Sequence, residues 1–182
     1  MTLDYTKIDK KFHLYDRSMD EKNKSFIYGE VDYIPFIKLL KDDIHFFPGD
    51  NFLDIGSGCG KFLSGLSCQD FFNEMYFQGV EIHSSRYNQS LKLQDELDFH
   101  DNLEFINDDF HSIYFGNYDV LYCCNTIFGD EENKNLYSKI ENEFTGYFIL
   151  FEYDKTFEKY LIKNINAHTS WGKSVPVYIF QK

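Results

Sequence analysis

The chain has 182 residues and a formal net charge of −12, and aromatic side chains make up 19% of it. This length suffices for one domain with a substantial core, which the 20 phenylalanines and 14 tyrosines must largely fill. The negative charge repels phosphate backbones, so direct binding to nucleic acid is not expected. A basic polypeptide is a compatible partner.

The cysteines and the amino terminus exclude two further classes of protein. Cys59, Cys68, Cys123 and Cys124 lack the paired spacing and neighbouring histidines of a zinc site, so we expect free thiols and no metal. The first residues contain no apolar signal core, and no run approaches the roughly 18 apolar residues of a membrane span. The sequence therefore predicts an intracellular protein, cytoplasmic or nuclear, with no membrane partner; it does not indicate an oligomeric state.

The predicted elements begin after an amino-terminal arm. Residues 1–27 mix charged and aromatic side chains without a clear period, and we expect an arm or short helices packed over a single domain formed by residues 28–182. Apolar residues at helical spacing between Val31 and Ile44 predict the first helix. Strands are then predicted at 51–55, 76–82, 103–106, 118–124 and 146–151, with helices at about 60–72, 83–97 and 130–144.

This alternation defines the expected fold class. Strands that alternate with helices predict an α/β fold with a doubly wound, mostly parallel sheet of the Rossmann-like type. Two extended runs at 160–171 and 175–180, joined by residues 172–174, predict a carboxyl-terminal antiparallel hairpin. Ligands of such sheets bind outside the carboxyl ends of the strands, so candidate site residues are expected there.

The strongest motif is a glycine turn directly after the first strand. Gly56, Gly58 and Gly60 alternate with Ser57 and Cys59, whereas a dinucleotide fingerprint needs its third glycine one position later. Glycines at a strand end let the backbone approach a cofactor closely. Asp54, two residues before the turn, is poorly placed beside a pyrophosphate and well placed beside a cation. S-adenosylmethionine carries a sulfonium and an ammonium, so we predict that it is the cofactor.

Other strand ends supply candidate contacts to the same cofactor. Glu81 ends the second strand and can accept hydrogen bonds from both ribose hydroxyls. Asp109 and Phe110 follow the third strand, where a carboxylate can accept from the adenine amine and a ring can pack on the base; Asp108 is the alternative carboxylate. Glu30 can reach the methionine ammonium, although an acid at a helix start is also favoured by the helix dipole.

The acceptor side is predicted from the loop after the fourth strand. We expect the amide of Asn125 to point into the cleft, with Phe128 beside it. Together with Trp171 and Tyr178 these residues would wall a narrow aromatic channel, which suits a lysine because its stem is apolar and its ammonium is held over ring faces. In a chain this rich in rings, packing in the core is the alternative role for the aromatic side chains.

Taken together, these motifs resemble one family of class I S-adenosylmethionine-dependent methyltransferases. This is the family of non-SET histone lysine methyltransferases, also called disruptor of telomeric silencing. The elements that carry the resemblance, which spans residues 28–180, are Tyr28-Gly29-Glu30, the glycine turn with Asp54 and Lys61, Gly79-Val80-Glu81, Asp109-Phe110, Asn125 with Phe128-Gly129, and Ser170-Trp171 with Tyr178. The resemblance implies that Glu30, Asp54, Gly56, Ser57, Gly58, Glu81, Asp109 and Phe110 contact the methyl donor, and that Asn125, Phe128 and Tyr178 line the acceptor channel.

Three departures limit what the resemblance implies about the substrate. The family usually has paired asparagines before the Phe-Gly element, and Cys124 occupies one of those places. We also expect no lysine-rich extension that would bind nucleosomal DNA, and little room for the family's amino-terminal helical domain. We therefore expect a protein-lysine N-methyltransferase acting on a basic protein. A small-molecule methyltransferase and a non-catalytic module that binds S-adenosylmethionine are the alternatives.

Overall fold

The computed structural model describes residues 29, 31–97 and 102–182. The predicted arm at 1–27, Tyr28 and the candidate site residue Glu30 lie outside these ranges. The predictions for them therefore stay predictions.

Within the described ranges, seven strands form one sheet. They are β1 (Asn51–Ile55), β2 (Tyr76–Val80), β3 (Leu103–Ile106), β4 (Val120–Cys123), β5 (Tyr147–Leu150), β6 (Leu161–Thr169) and β7 (Gly172–Gln181). Their order is β3-β2-β1-β4-β5-β7-β6. The first five strands are parallel, and β7 runs antiparallel to both of its neighbours. The predicted doubly wound sheet with a closing antiparallel hairpin is confirmed.

Four α-helices of the described chain cover the two faces of this sheet. They are α1 (Tyr33–Asp43), α2 (Lys61–Ser67), α3 (Ser84–Leu97) and α4 (Asp130–Glu143). The first three bury apolar side chains such as Leu40, Leu63 and Leu93 against one face, and α4 buries Leu136 and Ile140 against the other. The central strands β1, β4 and β5 are thereby buried on both sides, which explains why they are apolar almost throughout.

Aromatic rings fill both cores, as the composition predicts. Phe148 and Phe180 stack with ring centroids 4.5 Å apart on the α4 side of the sheet. On the other side, Tyr122 packs against Phe62 with centroids 4.4 Å apart and against Phe36 at 5.9 Å. Such pairs add about 0.5–1.5 kcal/mol each beyond their buried area, so rings replace the small aliphatic side chains that this sequence lacks.

Several predicted elements are shorter in the structure: the strands predicted at 76–82, 118–124 and 146–151 are Tyr76–Val80, Val120–Cys123 and Tyr147–Leu150, and the helix predicted at 60–72 ends at Ser67. Two differences have local reasons. The predicted helix at 60–72 begins one residue later, because Gly60 has a φ of 78° and caps α2 instead of lying in it. The predicted hairpin turn at 172–174 lies instead at residues 170–171. There the Thr169 side chain closes the hairpin: its hydroxyl accepts from the Gly172 N–H at 3.0 Å and donates to the Gly172 carbonyl at 3.1 Å.

Candidate functional site

The glycine turn is held against the neighbouring strand by its own backbone. Gly56, Gly58 and Gly60 have φ values of 77°, 58° and 78°, a region that L side chains rarely adopt. The N–H groups of Gly56 and Ser57 both donate to the Val80 carbonyl, at 2.8 and 3.1 Å. The end of β2 therefore fixes the position of the turn.

Glu81 joins the same turn through its side chain. One carboxylate oxygen, Oε2, accepts from the Gly58 N–H at 2.9 Å, and the other, Oε1, accepts from the His83 N–H at 2.8 Å. The side chain is only 4% exposed, yet it lines the cavity described below. Because each carboxylate oxygen has a further lone pair, a ligand hydroxyl in the cavity can still donate to it.

Asp54 lies at the end of β1, beneath the turn. It is 2% exposed, and burial, with a smaller effect from the charge of Glu81, raises its pKa well above the ordinary value. An isolated carboxylate is costly in such a place. A cation bound above the turn would lower that cost, so Asp54 is suited to respond to a positively charged ligand.

A cavity of about 630 Å³ opens above the carboxyl ends of β1, β2 and β4. Its floor includes Ile55, Gly56 and Glu81. One wall carries residues that follow β2 and β3, and the opposite wall carries the loop after β4 and the start of α4. The described residues that complete the lining are Val80, Ile82, His83, Arg86, Asp108, Asp109, Phe110, His111, Cys124, Ile127, Phe128, Gly129, Glu131, Glu132 and Asn135.

Asp109 and Phe110 lie in the cavity wall, as does the alternative carboxylate Asp108. Asp109 caps a short helical turn by accepting from the His111 N–H at 2.9 Å. The Phe110 ring stacks on the His111 imidazole with centroids 4.3 Å apart. It also lies nearly parallel to the Phe128 ring, at 15° and a centroid distance of 6.0 Å. Because both carboxylates line the cavity, the choice between Asp108 and Asp109 stays open.

Asn125 does not face the cavity, so the expectation that its amide points into the cleft is wrong in this structure. The side chain is fully buried. Its Oδ1 accepts from the N–H groups of Phe151 and Glu152, each at 3.0 Å. Its Nδ2 donates to the Glu152 carbonyl at 2.9 Å and to Asn133 Oδ1 at 2.7 Å. The amide turns inward because it pairs with the backbone groups of the two residues that follow β5.

The predicted aromatic channel is also corrected. Phe128 lines the cavity, but among the described residues Tyr178 and Trp171 do not. Tyr178 packs on Tyr153, with centroids 4.6 Å apart, on the side of the sheet that α4 covers. Trp171 contacts Gly29 and Phe151, on the side that α1 covers. The two rings lie on opposite faces of the sheet: Tyr178 is a side chain of β7, whereas Trp171 belongs to the turn that precedes β7.

Two residues of the turn are placed differently from the cofactor contact expected of them. The Ser57 hydroxyl lies against Gly79 of β2, so close that a Cβ on Gly79 would be 2.7 Å from its oxygen. Gly60 is buried beneath Phe105 and Ser90 of neighbouring elements. Neither residue lines the cavity formed by the described residues, and the predicted contacts Asp54 and Gly58 do not line it either. In this structure Ser57 and Gly60 shape the turn from below, and a contact with the cofactor stays a prediction.

Several cavity residues were not predicted from the sequence. Ile82 is 61% exposed although it is apolar, and it stands beside Glu81 at the cavity rim. The feature of the sequence that could have identified Ile82 as a site residue is its position directly after Glu81, the acid predicted to end the strand. Glu131 and Glu132 were also missed. Acidic residues are common in the first turn of a helix, so the sequence alone does not indicate that these two line a site.

The cysteines agree with the prediction of free thiols. All four cysteines are free. Burial raises the pKa of the Cys124 thiol, which borders the cavity, to about 12, so it stays protonated at neutral pH. No metal-binding group of histidine, cysteine and acidic side chains occurs among the described residues. In that same part of the chain, no helix has the length and apolar character that a bilayer crossing requires.

Comparison with known proteins defines the class of fold. The sequence matches no protein-family model and no curated protein. Its structure is similar to magnesium protoporphyrin IX methyltransferase from Synechocystis PCC 6803 with bound S-adenosylmethionine, at 15% identity and a TM-score of 0.65, over 99% of this chain and 98% of that one.

Two further solved structures show the same architecture. An RNA methyltransferase from Salinibacter ruber in complex with S-adenosyl-L-homocysteine matches at 15% identity and a TM-score of 0.64, over 81% of this chain and 90% of that one. Coclaurine N-methyltransferase matches at 16% identity and a TM-score of 0.53; the match covers 65% of this chain and 35% of that protein. The chain thus has the fold of class I S-adenosylmethionine-dependent methyltransferases.

Proposed function

We propose that the chain is a methyltransferase that uses S-adenosylmethionine. The observation that carries the proposal is the arrangement of Glu81: its carboxylate holds the Gly58 N–H at 2.9 Å and also faces the cavity. One acid thereby couples the shape of the glycine turn to a ligand lying above it. Solved structures with the same fold contain S-adenosylmethionine or its homocysteine product, which supports this choice of cofactor.

The described residues fit the parts of this cofactor. Glu81 would accept from the ribose hydroxyls, and Asp109 or Asp108 would accept from the adenine amine beside the Phe110 ring. Burial raises the pKa of Asp54, and a cationic ligand nearby would favour its ionised form, so ligand binding and ionisation of this carboxyl would support each other. Glu30, for which the resemblance implies a contact with the donor, remains a candidate for the methionine ammonium.

We further propose that the acceptor is an amine, namely a lysine of a basic protein. When bound, the cofactor supplies a methyl group that its sulfonium has already activated. A neutral amine nitrogen forms the new bond to the methyl carbon while the carbon–sulfur bond breaks and its electrons remain on sulfur. The protein's task is to align the reactants and exclude water, for which Phe128 and Ile127 provide an apolar wall. A lysine side chain that enters the cavity beside this wall would lose its proton to water, because a site without water disfavours the charged ammonium.

The charge of the cavity supports an acceptor of this kind. Glu131 and Glu132 stand in the wall on the same side as Phe128, and both belong to the first turn of α4. Carboxylates at a helix start are stabilised by the dipole in their charged form. They would attract a lysine-rich segment to the mouth of the cavity and repel a phosphate-bearing one.

Transfer of radiolabel tests the proposal. The protein is incubated with a cell lysate and S-adenosylmethionine labelled in its methyl group, and label is followed in protein bands and in the small-molecule fraction. We expect label on lysine side chains of basic proteins, and loss of that label with Glu81→Ala. Asp95→Asn, which removes an exposed acid on α3, is the matched control and should label as the wild type does.

A small-molecule acceptor is the second candidate function, and one observation favours it. The magnesium protoporphyrin IX methyltransferase matches this chain over almost the full length of both proteins. Label confined to the small-molecule fraction would select this candidate. Absence of label from both fractions, with cofactor still bound, would select a binding module instead.

A further inference from the structure

A chain of buried amide groups connects the end of β5 to the wall of the cavity. Asn125 binds the backbone of Phe151 and Glu152, as described above, and donates to Asn133 Oδ1 at 2.7 Å. Asn133 lies in the second turn of α4 and is 8% exposed. Its own amide nitrogen donates to the Phe128 carbonyl at 3.3 Å. Three elements are therefore joined through two side chains.

Asn125 is fully used in this arrangement, and Asn133 uses its oxygen toward Asn125 and its amide nitrogen toward the Phe128 carbonyl. An asparagine amide can donate twice and accept twice, and Asn125 has partners for both kinds of bond. Its amide nitrogen also lies 3.3 Å from the hydroxyl of Tyr137, whose pKa burial raises to about 12. No side chain of this network titrates near neutral pH, so the linkage is independent of pH in that range. Buried, satisfied amide networks fix one geometry, because a shifted group would lose its bonds without finding water.

We infer that Asn133 is a positioning residue for methyl transfer, which acts by holding the Phe128 carbonyl and so fixing the Phe128 ring in the cavity wall. The ring is the one predicted aromatic member of the acceptor channel that does line the cavity, and it lies parallel to Phe110. Asn125 anchors Asn133 to the end of β5. This inference rests on the proposed function for its kinetic consequence, but the geometry it describes can be measured separately.

The test uses a substitution that breaks one bond of the network. Asn133→Asp keeps an oxygen to accept from Asn125 and removes the donor to the Phe128 carbonyl. Asn133→Ala is the second variant, which introduces no buried charge if the aspartate hinders folding. Asn142→Asp is the matched control, because Asn142 lies exposed on the same helix and its amide bonds only to the Ser138 hydroxyl at 3.3 Å among the described residues.

The first readout is a fluorine NMR signal from 4-fluorophenylalanine placed at position 128. We expect one narrow resonance in the wild type and in Asn142→Asp, and a shifted or broadened one in both variants at position 133. An unchanged resonance in a folded variant at position 133 would overturn the inference. This measurement needs no catalysis, so it decides the role of Asn133 even when no methyl acceptor is known.

The second readout is kinetic. We expect kcat to fall by on the order of tenfold to a hundredfold in the variants at position 133, since small misplacements near reacting atoms have effects of that size. The affinity for S-adenosylmethionine should stay within about twofold of the wild type. Loss of cofactor affinity instead of kcat would contradict a positioning role on the acceptor side. Absence of methyl transfer by the wild type would reject the proposed function and leave the NMR comparison valid.

Discussion

At the residue scale, the protonation of Asp54 depends strongly on its surroundings. Its raised pKa means that the folded protein holds a proton more tightly than the unfolded chain does. Between the ordinary value and the raised one, the folded state is therefore protonated while the unfolded state is not. Stability falls as pH rises through that window, with a slope of at most about 1.4 kcal/mol per pH unit for one group.

This sign gives a prediction for Asp54→Asn. Without cofactor, the variant should equal the wild type near pH 4 and become the more stable of the two as pH rises, because asparagine carries no buried charge. Urea unfolding at a series of pH values measures the difference. The same variant should bind S-adenosylmethionine more weakly, since it cannot offer a negative charge to the cation. A stability difference that does not change with pH would show that Asp54 ionises as easily in the folded state as in the unfolded chain.

At the element scale, the approach of β2 to the glycine turn determines the position of the cofactor site. Gly79 makes this approach possible: a Cβ there would lie 2.7 Å from Ser57 Oγ and 2.8 Å from Phe105 Cδ1. Neither neighbour can withdraw freely, since Ser57 belongs to the turn and Phe105 to β3. The turn and β2 are therefore packed as one unit. Glu81, two residues after Gly79, also contacts the turn through its side chain.

We accordingly predict that Gly79→Ala destabilises the protein by about 1–3 kcal/mol, as overpacking does, and also weakens cofactor binding by displacing the turn. Gly49→Ala is the comparison. Its φ of 89° makes it strained, but a Cβ there would meet nothing within 4 Å, so it should lower stability and leave cofactor affinity unchanged. Thermal unfolding and cofactor titration of both variants separate the two effects. Equal cofactor affinity in the wild type and Gly79→Ala would contradict the proposed packing.

The elements also show what the sequence could and could not predict. The first and third strands were predicted with the bounds that the structure has, because each is an apolar run bounded by polar or glycine residues. Glu81, Asp109 and Phe110 were found in the cavity wall because parallel strands end at one edge of the sheet. These predictions needed only topology.

The predictions that failed depended on the direction in which a side chain points. Asn125 follows β4 as expected, but the unpaired backbone groups at the end of β5 turn its amide inward. Tyr178 and Trp171 belong to the predicted hairpin, yet the face that each occupies depends on where the turn falls. Glycine and serine at 172–174 favoured a turn there, whereas the Thr169 side chain closes it earlier. Such choices are made by tertiary contacts that a local pattern does not contain.

At the scale of the whole molecule, charge determines which substrates can approach. The chain carries 30 acidic and 18 basic residues. Several of the lysines are already used within the fold: Lys139, Lys159 and Lys163 form ion pairs with Glu143, Glu141 and Asp43. Binding to a nucleic-acid duplex depends on basic residues that neutralise phosphates. The excess of acidic residues in this chain repels the phosphates instead.

We therefore predict that free core histones are methylated faster than assembled nucleosomes at physiological salt. The free proteins offer lysine-rich segments without the phosphate backbone that the acidic chain repels. Parallel labelling reactions with equal histone concentrations make the comparison. Faster turnover on nucleosomes would overturn this prediction, and no labelling of either would favour the small-molecule candidate.

Titration calorimetry determines whether the cavity above the glycine turn binds S-adenosylmethionine. Titration with S-adenosylmethionine and with S-adenosylhomocysteine should show a single site in the wild type. Glu81→Ala should weaken it by about tenfold or more, since charge-assisted hydrogen bonds contribute roughly 1.5–3 kcal/mol. Asp95→Asn should bind as the wild type does. Absence of binding to folded wild-type protein would contradict the account.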